Sequence, residues 1–231
     1  MPDYSSERRK EEIARMFDSI VERYEFLNHL FSFNRDRMWR KETVKYAFGR
    51  VLDIACGSGE MVELLLENPR VEYVVGLDLS WQMLEYARRK RNFPRSAYIM
   101  GDAENLPFED ETFNSITIAF GIRNFPDKLK SLKEIHRVLR RGGRVLIVDM
   151  VGAEGIFRPF YDFYKERVMP FVARFFTSNW KAYKYLSTSI DAFPPRDEFK
   201  SMMREAGFVN VWHRDFTFGA ATLFYGEKLS D

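Results

Sequence analysis

The run Asp53-Ile54-Ala55-Cys56-Gly57-Ser58-Gly59 carries the most chemistry in this chain. It follows a β-branched run and opens a helical pattern, which places it at the carboxyl end of a strand, where ligands sit in open α/β sheets. Gly57 and Gly59 let the backbone approach a ligand closely, and the helix start beyond them offers unpaired N–H groups to a carboxylate. A dinucleotide loop needs a third glycine three positions after Gly59, but Val62 stands there and would crowd it. Asp53 argues the same way, because an acid beside the loop repels a pyrophosphate yet accepts hydrogen bonds from an ammonium. The ligand that offers both a carboxylate and an ammonium is an amino acid. Two glycines alone would equally describe a tight strand-to-helix turn with nothing bound.

Further acids extend the pattern. The second strand ends in Gly76-Leu77-Asp78, about twenty residues on, where a carboxylate can hold two ribose hydroxyls. After the third strand, Gly101-Asp102-Ala103 could receive an adenine, Asp102 accepting from its exocyclic amine while Leu79 and Met83 pack on the ring. Taken singly, Asp78 could be a helix N-cap, Asp102 a turn former and Met83 helix core. Together with Asp53, Ala55, Gly57 and Gly59 they describe a site for S-adenosyl-L-methionine, with S-adenosyl-L-homocysteine as product. Methyl transfer from a sulfonium is an in-line displacement, so the protein's task is to align the methyl with its acceptor and exclude water.

The elements that must hold these residues follow from periodicity. Short β-branched runs alternate with helical patterns between Val51 and Met150, which predicts a parallel sheet covered on both faces. The strands are Val51–Cys56, Glu72–Asp78, Ala97–Gly101, Phe113–Phe120 and Arg144–Met150, with helices over Glu60–Glu67, Trp81–Lys90 and Lys128–Leu139, the last closed by a Gly142-Gly143 C-cap. Residues 1–50 form an N-terminal helical cap, with Ile13, Met16, Phe17, Ile20 and Tyr24 on one stripe. Residues 51–150 are the cofactor-binding core, 151–193 an aromatic helical lid, and 194–231 a final helix, Arg196 to Ala206, followed by a hairpin of Phe208–Asp215 and Ala221–Glu227. The expectation is one domain of α/β class: a Rossmann-like, doubly wound, mostly parallel seven-stranded sheet with an antiparallel C-terminal hairpin.

Composition narrows the partners. In 231 residues the formal charge is only +2, so no general field draws a polyanion and nucleic acid is not expected. Cys56 is the sole cysteine, no Cys/His cluster has metal-ligand spacing, and neither a disulfide nor a metal is expected. The charged start lacks an apolar leader core, and no run is long enough to cross a bilayer, which predicts a cytoplasmic protein, at most peripheral at the inner face of a membrane.

The chain resembles the ubiquinone/menaquinone biosynthesis C-methyltransferase family from about Phe17 to Lys228. The resemblance rests on Phe17-Asp18-Ser19-Ile20 with Tyr24 and Asn28 up to Met38-Trp39-Arg40-Lys41, on Asp102-Ala103-Glu104-Asn105-Leu106-Pro107-Phe108 running on to Phe120-Gly121-Ile122-Arg123-Asn124, and on Tyr185-Leu186-Ser187-Thr188-Ser189-Ile190. It implies methyl transfer to a carbon of a polyprenylated benzoquinol or naphthoquinol, with cofactor contacts on Ser58, Asp78, Asp102, Ala103 and Ala119. Two positions depart from the family pattern. His29 stands where an Asp is usual, which could change the acceptor or the acid–base chemistry, and Ala119 stands where a Ser is common, which removes one cofactor hydrogen bond of about 1 kcal/mol.

A ring carbon becomes nucleophilic when the quinol ionises, and Arg123 and Asn124, just past the fourth strand, suit the charge on its oxygen. Arg123 cannot be the base, since a guanidinium stays protonated. His29 and Asp149 are the candidates for that role, although His29 could equally be a surface helix histidine. Tyr24, Asn28, Phe31, Trp39 and Phe120 are the candidate acceptor contacts. Aromatic residues from Phe157 to Tyr185 could roof an isoprenoid tail, and Arg158, Lys165, Arg167, Arg174, Lys181 and Lys184 among them could meet an anionic bilayer; the same stretch could instead close the core or a homodimer contact. Two other activities fit the same residues: O- or N-methylation of another lipophilic small molecule, and a non-catalytic cofactor-binding scaffold in a quinone-assembling complex.

Overall fold

Apolar runs long enough to be buried on both faces build the centre of the sheet. The computed structural model of the protein describes residues 4–153, 155–169, 171 and 180–230. The strands are β1 (Gly49–Ile54), β2 (Val71–Asp78), β3 (Ser96–Met100), β4 (Phe113–Ala119), β5 (Leu139–Asp149), β6 (Val209–Phe216) and β7 (Ala221–Glu227). They lie in the order β3-β2-β1-β4-β5-β7-β6. The first five run parallel, and β7 inserts between β5 and β6 antiparallel to both. The strand order reverses between β1 and β4, so a crevice opens beyond the carboxyl ends of those two strands, at Ile54 and Ala119.

Alternate residues of each strand feed two cores. One face carries Leu52, Ile54, Leu77, Ile116, Ile118 and Ile147 against helices α6 (Lys128–Val138) and α9 (Arg196–Glu205) through Leu132, Ile135, Phe199 and Met203. The other carries Val51, Val74, Leu146, Val148 and Leu223 against α4 (Glu60–Glu67) and α5 (Trp81–Lys90) through Met61, Val62, Leu65 and Leu84. Each such side chain contributes about 1.5–3 kcal/mol on burial, so the crevice rests on a rigid support.

The helical cap is three helices: α1 (Tyr4–Asp18), α2 (Val21–Phe31) and α3 (Arg35–Val44). Left-handed backbone at Phe33 and Asn34 (φ 52° and 58°) turns the chain between α2 and α3. The apolar stripe divides: Ile13, Phe17 and Tyr24 face the crevice, while Met16 and Ile20 pack with Leu27, Phe31 and Met169.

Several strand bounds shift from expectation, β5 starting at Leu139 rather than Arg144, and the end of α6 differs in kind. Helix α6 stops at Val138, and Gly142-Gly143 is not its cap. Residues 140–143 bulge out of β5, for Phe113 pairs with Leu139 while Ser115 pairs with Arg144. The helix end is satisfied from a distance by Lys228, whose Nζ donates to the carbonyls of His136 (3.1 Å) and Leu139 (2.9 Å). An ammonium there meets both the free carbonyls and the negative end of the helix dipole.

After β5 the lid runs through α7 (Arg158–Phe163), a π-helical turn (Tyr164–Val168) and α8 (Trp180–Asp191). Arg174 and the side chains of Lys181 and Lys184 lie outside the described residues. Among the described residues no helix is long and apolar enough to cross a membrane.

Candidate active site

Beyond Ile54 the chain turns through three left-handed residues, Ala55, Gly57 and Gly59 (φ 55°, 51° and 84°), before α4 begins. A Cβ on Gly59 would fall 2.8 Å from Tyr98 Oη, so this glycine lets the helix start close against β3. A Cβ on Gly57 would meet only Tyr24 Cε1 at 3.6 Å, so that glycine faces open space.

Asp53, 1% exposed, is the penultimate residue of β1, behind this loop. Thr117 Oγ1 donates to its Oδ1 at 2.6 Å, and its Oδ2 has no partner. Burial pushes the carboxyl up to about 7, against the opposing effects of the Thr117 hydrogen bond and the Arg40 charge. Asp78 ties the loop to the end of β2, its Oδ2 accepting from Gly57 N (2.8 Å) and its Oδ1 from Ser80 N (2.9 Å). Burial raises its pKa as well, and those backbone donors oppose the rise.

A cleft of about 730 Å³ lies over these residues, walled by Ile13, Ala14 and Phe17 of α1 on one side and by Leu79, Met83, Asp102, Ala103, Phe120 and Asn124 on the other. Its walls are largely apolar with a few polar groups, the usual make-up of a small-molecule site. A smaller pocket of about 260 Å³ adjoins it, bordered by Arg40, Asp53, Cys56, Ser58, Glu60, Met61 and Ala119. Tyr24, Ala55 and Gly57 border both, so they form the passage from one to the other.

Asp102 is engaged from α1. Lys10 Nζ donates to its Oδ2 at 2.7 Å and lies 2.8 Å from Glu104, while Glu104 N donates to Asp102 Oδ1 at 2.9 Å. Burial pulls the Lys10 pKa down, but its hydrogen bonds to Asp102, Glu104 and Glu7 outweigh that and hold it above the ordinary value. An adenine amine would share Asp102 with this lysine. Sequence reasoning missed Lys10 because a charged residue near the start of a helix has the ordinary look of a solvated one.

At the opposite end, Arg123 and Asp149 form a buried pair. Arg123 Nη1 donates to Asp149 Oδ1 (2.6 Å) and to the Phe120 carbonyl (2.6 Å), and its backbone N–H donates to Asp149 Oδ2 (3.1 Å). Met150 N also donates to Asp149 (2.7 Å). Arg123 Nε and Asn124 Oδ1 are buried without partners, as are the hydroxyls of Tyr161 and Tyr185 from the lid. Burial raises the pKa of Tyr24, Tyr161 and Tyr185, and the Arg123 charge opposes that rise in all three. The two lid tyrosines were missed individually because the stretch reads as uniformly aromatic.

His29 faces neither cleft. Its Nδ1 is 2.9 Å from Asp36 and its Nε2 3.0 Å from Glu60, and Arg40 Nη1 donates to the same Asp36 oxygen at 2.7 Å. The ligand atoms of His29, Asp36 and Glu60 lie within 4.8 Å of one another, as in a metal site, a grouping that three separate elements hide from sequence spacing. Phe31 packs with Leu27 and Met169, and its carbonyl accepts from Tyr164 Oη. Trp39 donates to Thr217 Oγ1 at 3.1 Å and packs beside Phe120. Asn28 Nδ2 is buried without a partner, and Phe120, with φ 62°, lines the large cleft.

The large cleft offers apolar walls beside the carboxylates of Asp78 and Asp102, and the small pocket an unpaired Asp53 oxygen that can accept from an ammonium. A seven-stranded sheet in this order behind such a crevice is the fold of S-adenosylmethionine-dependent methyltransferases, and the sequence relatives place the chain in that class.

The ubiE/COQ5 methyltransferase family model matches residues 5–228, and the chain belongs to that family. It is 42% identical over 230 residues to the ubiquinone/menaquinone biosynthesis C-methyltransferase UbiE of Geotalea daltonii, covering 94% of this chain and 97% of that one. It is 39% identical over 227 residues to the demethylmenaquinone methyltransferase of Thermotoga maritima, covering 95% and 97%. Among solved structures, a SAM-dependent methyltransferase of Thermotoga maritima superposes with a TM-score of 0.67 at 23% identity over 93% of this chain and 99% of that one. Phosphoethanolamine N-methyltransferase 2 of Haemonchus contortus, in complex with S-adenosyl-L-methionine, gives 0.64 at 17% over 93% and 60%. These two share the fold.

Proposed function

We propose that the enzyme methylates a ring carbon of a prenylated benzoquinol or naphthoquinol in ubiquinone/menaquinone biosynthesis. The observation that carries this reading is the group of buried, unpaired polar atoms at Arg123 Nε, Asn124 Oδ1, Tyr161 Oη and Tyr185 Oη, beside a cleft that takes the methyl donor. Buried polar groups are normally satisfied, so this set calls for a ligand with several oxygens. Membership of a family whose members include quinone-biosynthesis C-methyltransferases supports the same substrate class.

When bound, the donor supplies an electrophilic methyl on a sulfonium. The residues of the chain then divide the work. Asp53 and the glycine loop hold its amino-acid end, Asp78 faces the ribose, and Leu79, Met83 and Ala103 enclose the base. Arg123, fixed by Asp149 and the Phe120 carbonyl, presents its free Nε to the ionised quinol oxygen, and the charge it stabilises makes the ring carbon nucleophilic. Asp149 is the anchor of that guanidinium, its oxygens already accepting from Arg123 and Met150. Tyr24, at the passage between the clefts, orders the region where donor and acceptor meet, and the apolar walls keep water out.

The lid suits a prenyl tail and the bilayer that stores it. Ile156, Phe160 and Phe163 stand 79%, 76% and 64% exposed, with Arg158 and Arg167 also exposed. Phe157 packs tilted against Phe218 with ring centroids 4.4 Å apart, and Phe33 against Tyr164 at 5.7 Å, so the lid touches both the hairpin and the cap through aromatic rings. Incubation with labelled S-adenosylmethionine and short-tailed demethylated quinols tests the reaction. Carbon-linked label located by mass spectrometry supports it, and label confined to oxygen or nitrogen overturns it.

A further inference from the structure

We infer that Arg40 and Glu60 bind the amino-acid end of the donor, Arg40 through Nε to the carboxylate and Glu60, with Asp53, to the ammonium. This rests on the assignment of the donor to the paired clefts. The glycine loop supplies only backbone to that end, and fixed charges of both signs beside it would complement a zwitterion.

The small pocket has them. Three polar side-chain atoms on its wall are buried without a hydrogen-bond partner: Arg40 Nε, Asp53 Oδ2 and Glu60 Oε2. One can only donate, and the other two accept when ionised. Glu60 Oε2 has Arg40 Nη2 at 3.4 Å, an ion pair outside hydrogen-bond geometry. Leaving polar atoms buried without a hydrogen bond is costly, and a ligand with a carboxylate and an ammonium satisfies all three at once.

The rest of the cluster holds these atoms in place. Arg40 is fixed by Asp36 at 2.7 Å and lies over the Phe120 ring at 4.6 Å, which leaves Nε free. Asp36 is itself held by Ser32 Oγ (2.6 Å) and His29 Nδ1 (2.9 Å), and His29 Nε2 reaches the other oxygen of Glu60 at 3.0 Å. His29 is thus a positioning residue at the donor end, joining the two carboxylates that flank Arg40. A metal ion among His29, Asp36 and Glu60 would have to displace the guanidinium from Asp36, so the amino-acid reading is preferred.

Isothermal calorimetry with S-adenosylhomocysteine and with 5′-methylthioadenosine, which keeps the nucleoside thioether but has no amino-acid end, provides the test. Arg40→Met and Glu60→Gln are expected to weaken S-adenosylhomocysteine about tenfold to a hundredfold and to leave 5′-methylthioadenosine within about twofold. Retained 5′-methylthioadenosine binding also shows that the variant is folded. Equal weakening of both ligands by Glu60→Gln in a folded protein, or undiminished S-adenosylhomocysteine binding by both variants, overturns the inference. Wild-type protein that binds neither ligand overturns the donor assignment with it, whereas wild-type binding that both variants retain removes only the roles of Arg40 and Glu60.

Discussion

Lys10, on the first helix, donates at 2.7 Å to Asp102, 92 positions later and just past the third strand. The bond carries α1 across the mouth of the large cleft, and Ser80 Oγ donating to Asp18 at 2.5 Å secures the other end of the same helix. The cap therefore forms one wall of the large cleft.

Replacing Lys10 by Met leaves Asp102 and the buried Glu104 facing each other with only Lys130, 3.9 Å from Glu104, as a nearby cation. Breaking a buried pair in this way costs about 3–5 kcal/mol, less here because Asp102 is partly exposed. Urea denaturation is expected to show a loss of at least about 1 kcal/mol, accompanied by weaker S-adenosylhomocysteine binding. Unchanged stability would mean that α1 is not held by this contact.

The Asp53 carboxyl, raised by burial to about 7, sets a pH dependence. In the unfolded chain the value is about 3.9, so the folded protein alone keeps the proton between these two. Its contribution to stability is full below about pH 4 and is lost as the pH rises through about 7. Ligand-free wild type should therefore lose Tm relative to Asp53→Asn between about pH 5 and pH 8. Parallel Tm curves for the two proteins would refute the assignment.

Arg123→Met removes the cation proposed to face the acceptor and leaves the buried Asp149 with backbone donors only. Turnover is expected to fall by about 10²-fold or more, while S-adenosylhomocysteine affinity in the folded variant stays within about threefold. Asp149→Asn, which keeps the shape and one of the two acceptor oxygens, should lose less. A variant as active as wild type would remove Arg123 from the mechanism.

Gly59→Ala puts a Cβ 2.8 Å from Tyr98 Oη at a residue with φ 84°. Strain of about 1–3 kcal/mol is expected, read as a lower Tm together with weaker donor binding, since the loop borders the small pocket. Gly142→Ala meets only Ser230 Cβ, at 3.8 Å and far from the clefts, so any Tm change there should come without a change in donor affinity.

Phe160→Ser with Phe163→Ser replaces two exposed aromatic rings of the lid without disturbing the core. Co-sedimentation with anionic vesicles is expected to fall several-fold, with donor binding unchanged. Equal sedimentation of the two proteins would show that this face does not meet a bilayer.

Much of the architecture is local and was therefore legible. Helices α4 and α5 and strand β7 have the bounds their periodicity predicts, because burial repeats at a fixed interval within each element. The loop from Asp53 to Gly59 could be placed at a strand end by the same logic, and the acid at Asp78 does close β2. Where an element's end is satisfied by a distant residue, local reading failed: Lys228 caps α6, so the Gly142-Gly143 pair was assigned a role it does not have.

The order of strands and helices, the glycine turn and the class of ligand it admits were determined by the sequence alone, because turn chemistry and burial periodicity act over a few residues. Which charges meet was decided only by tertiary structure. Lys10 with Asp102, Arg123 with Asp149, and His29 with Asp36, Arg40 and Glu60 are brought together by helices and strands closing on a common crevice. A pairing across that much chain leaves no period in the sequence, since its energy depends on burial and distance rather than on spacing.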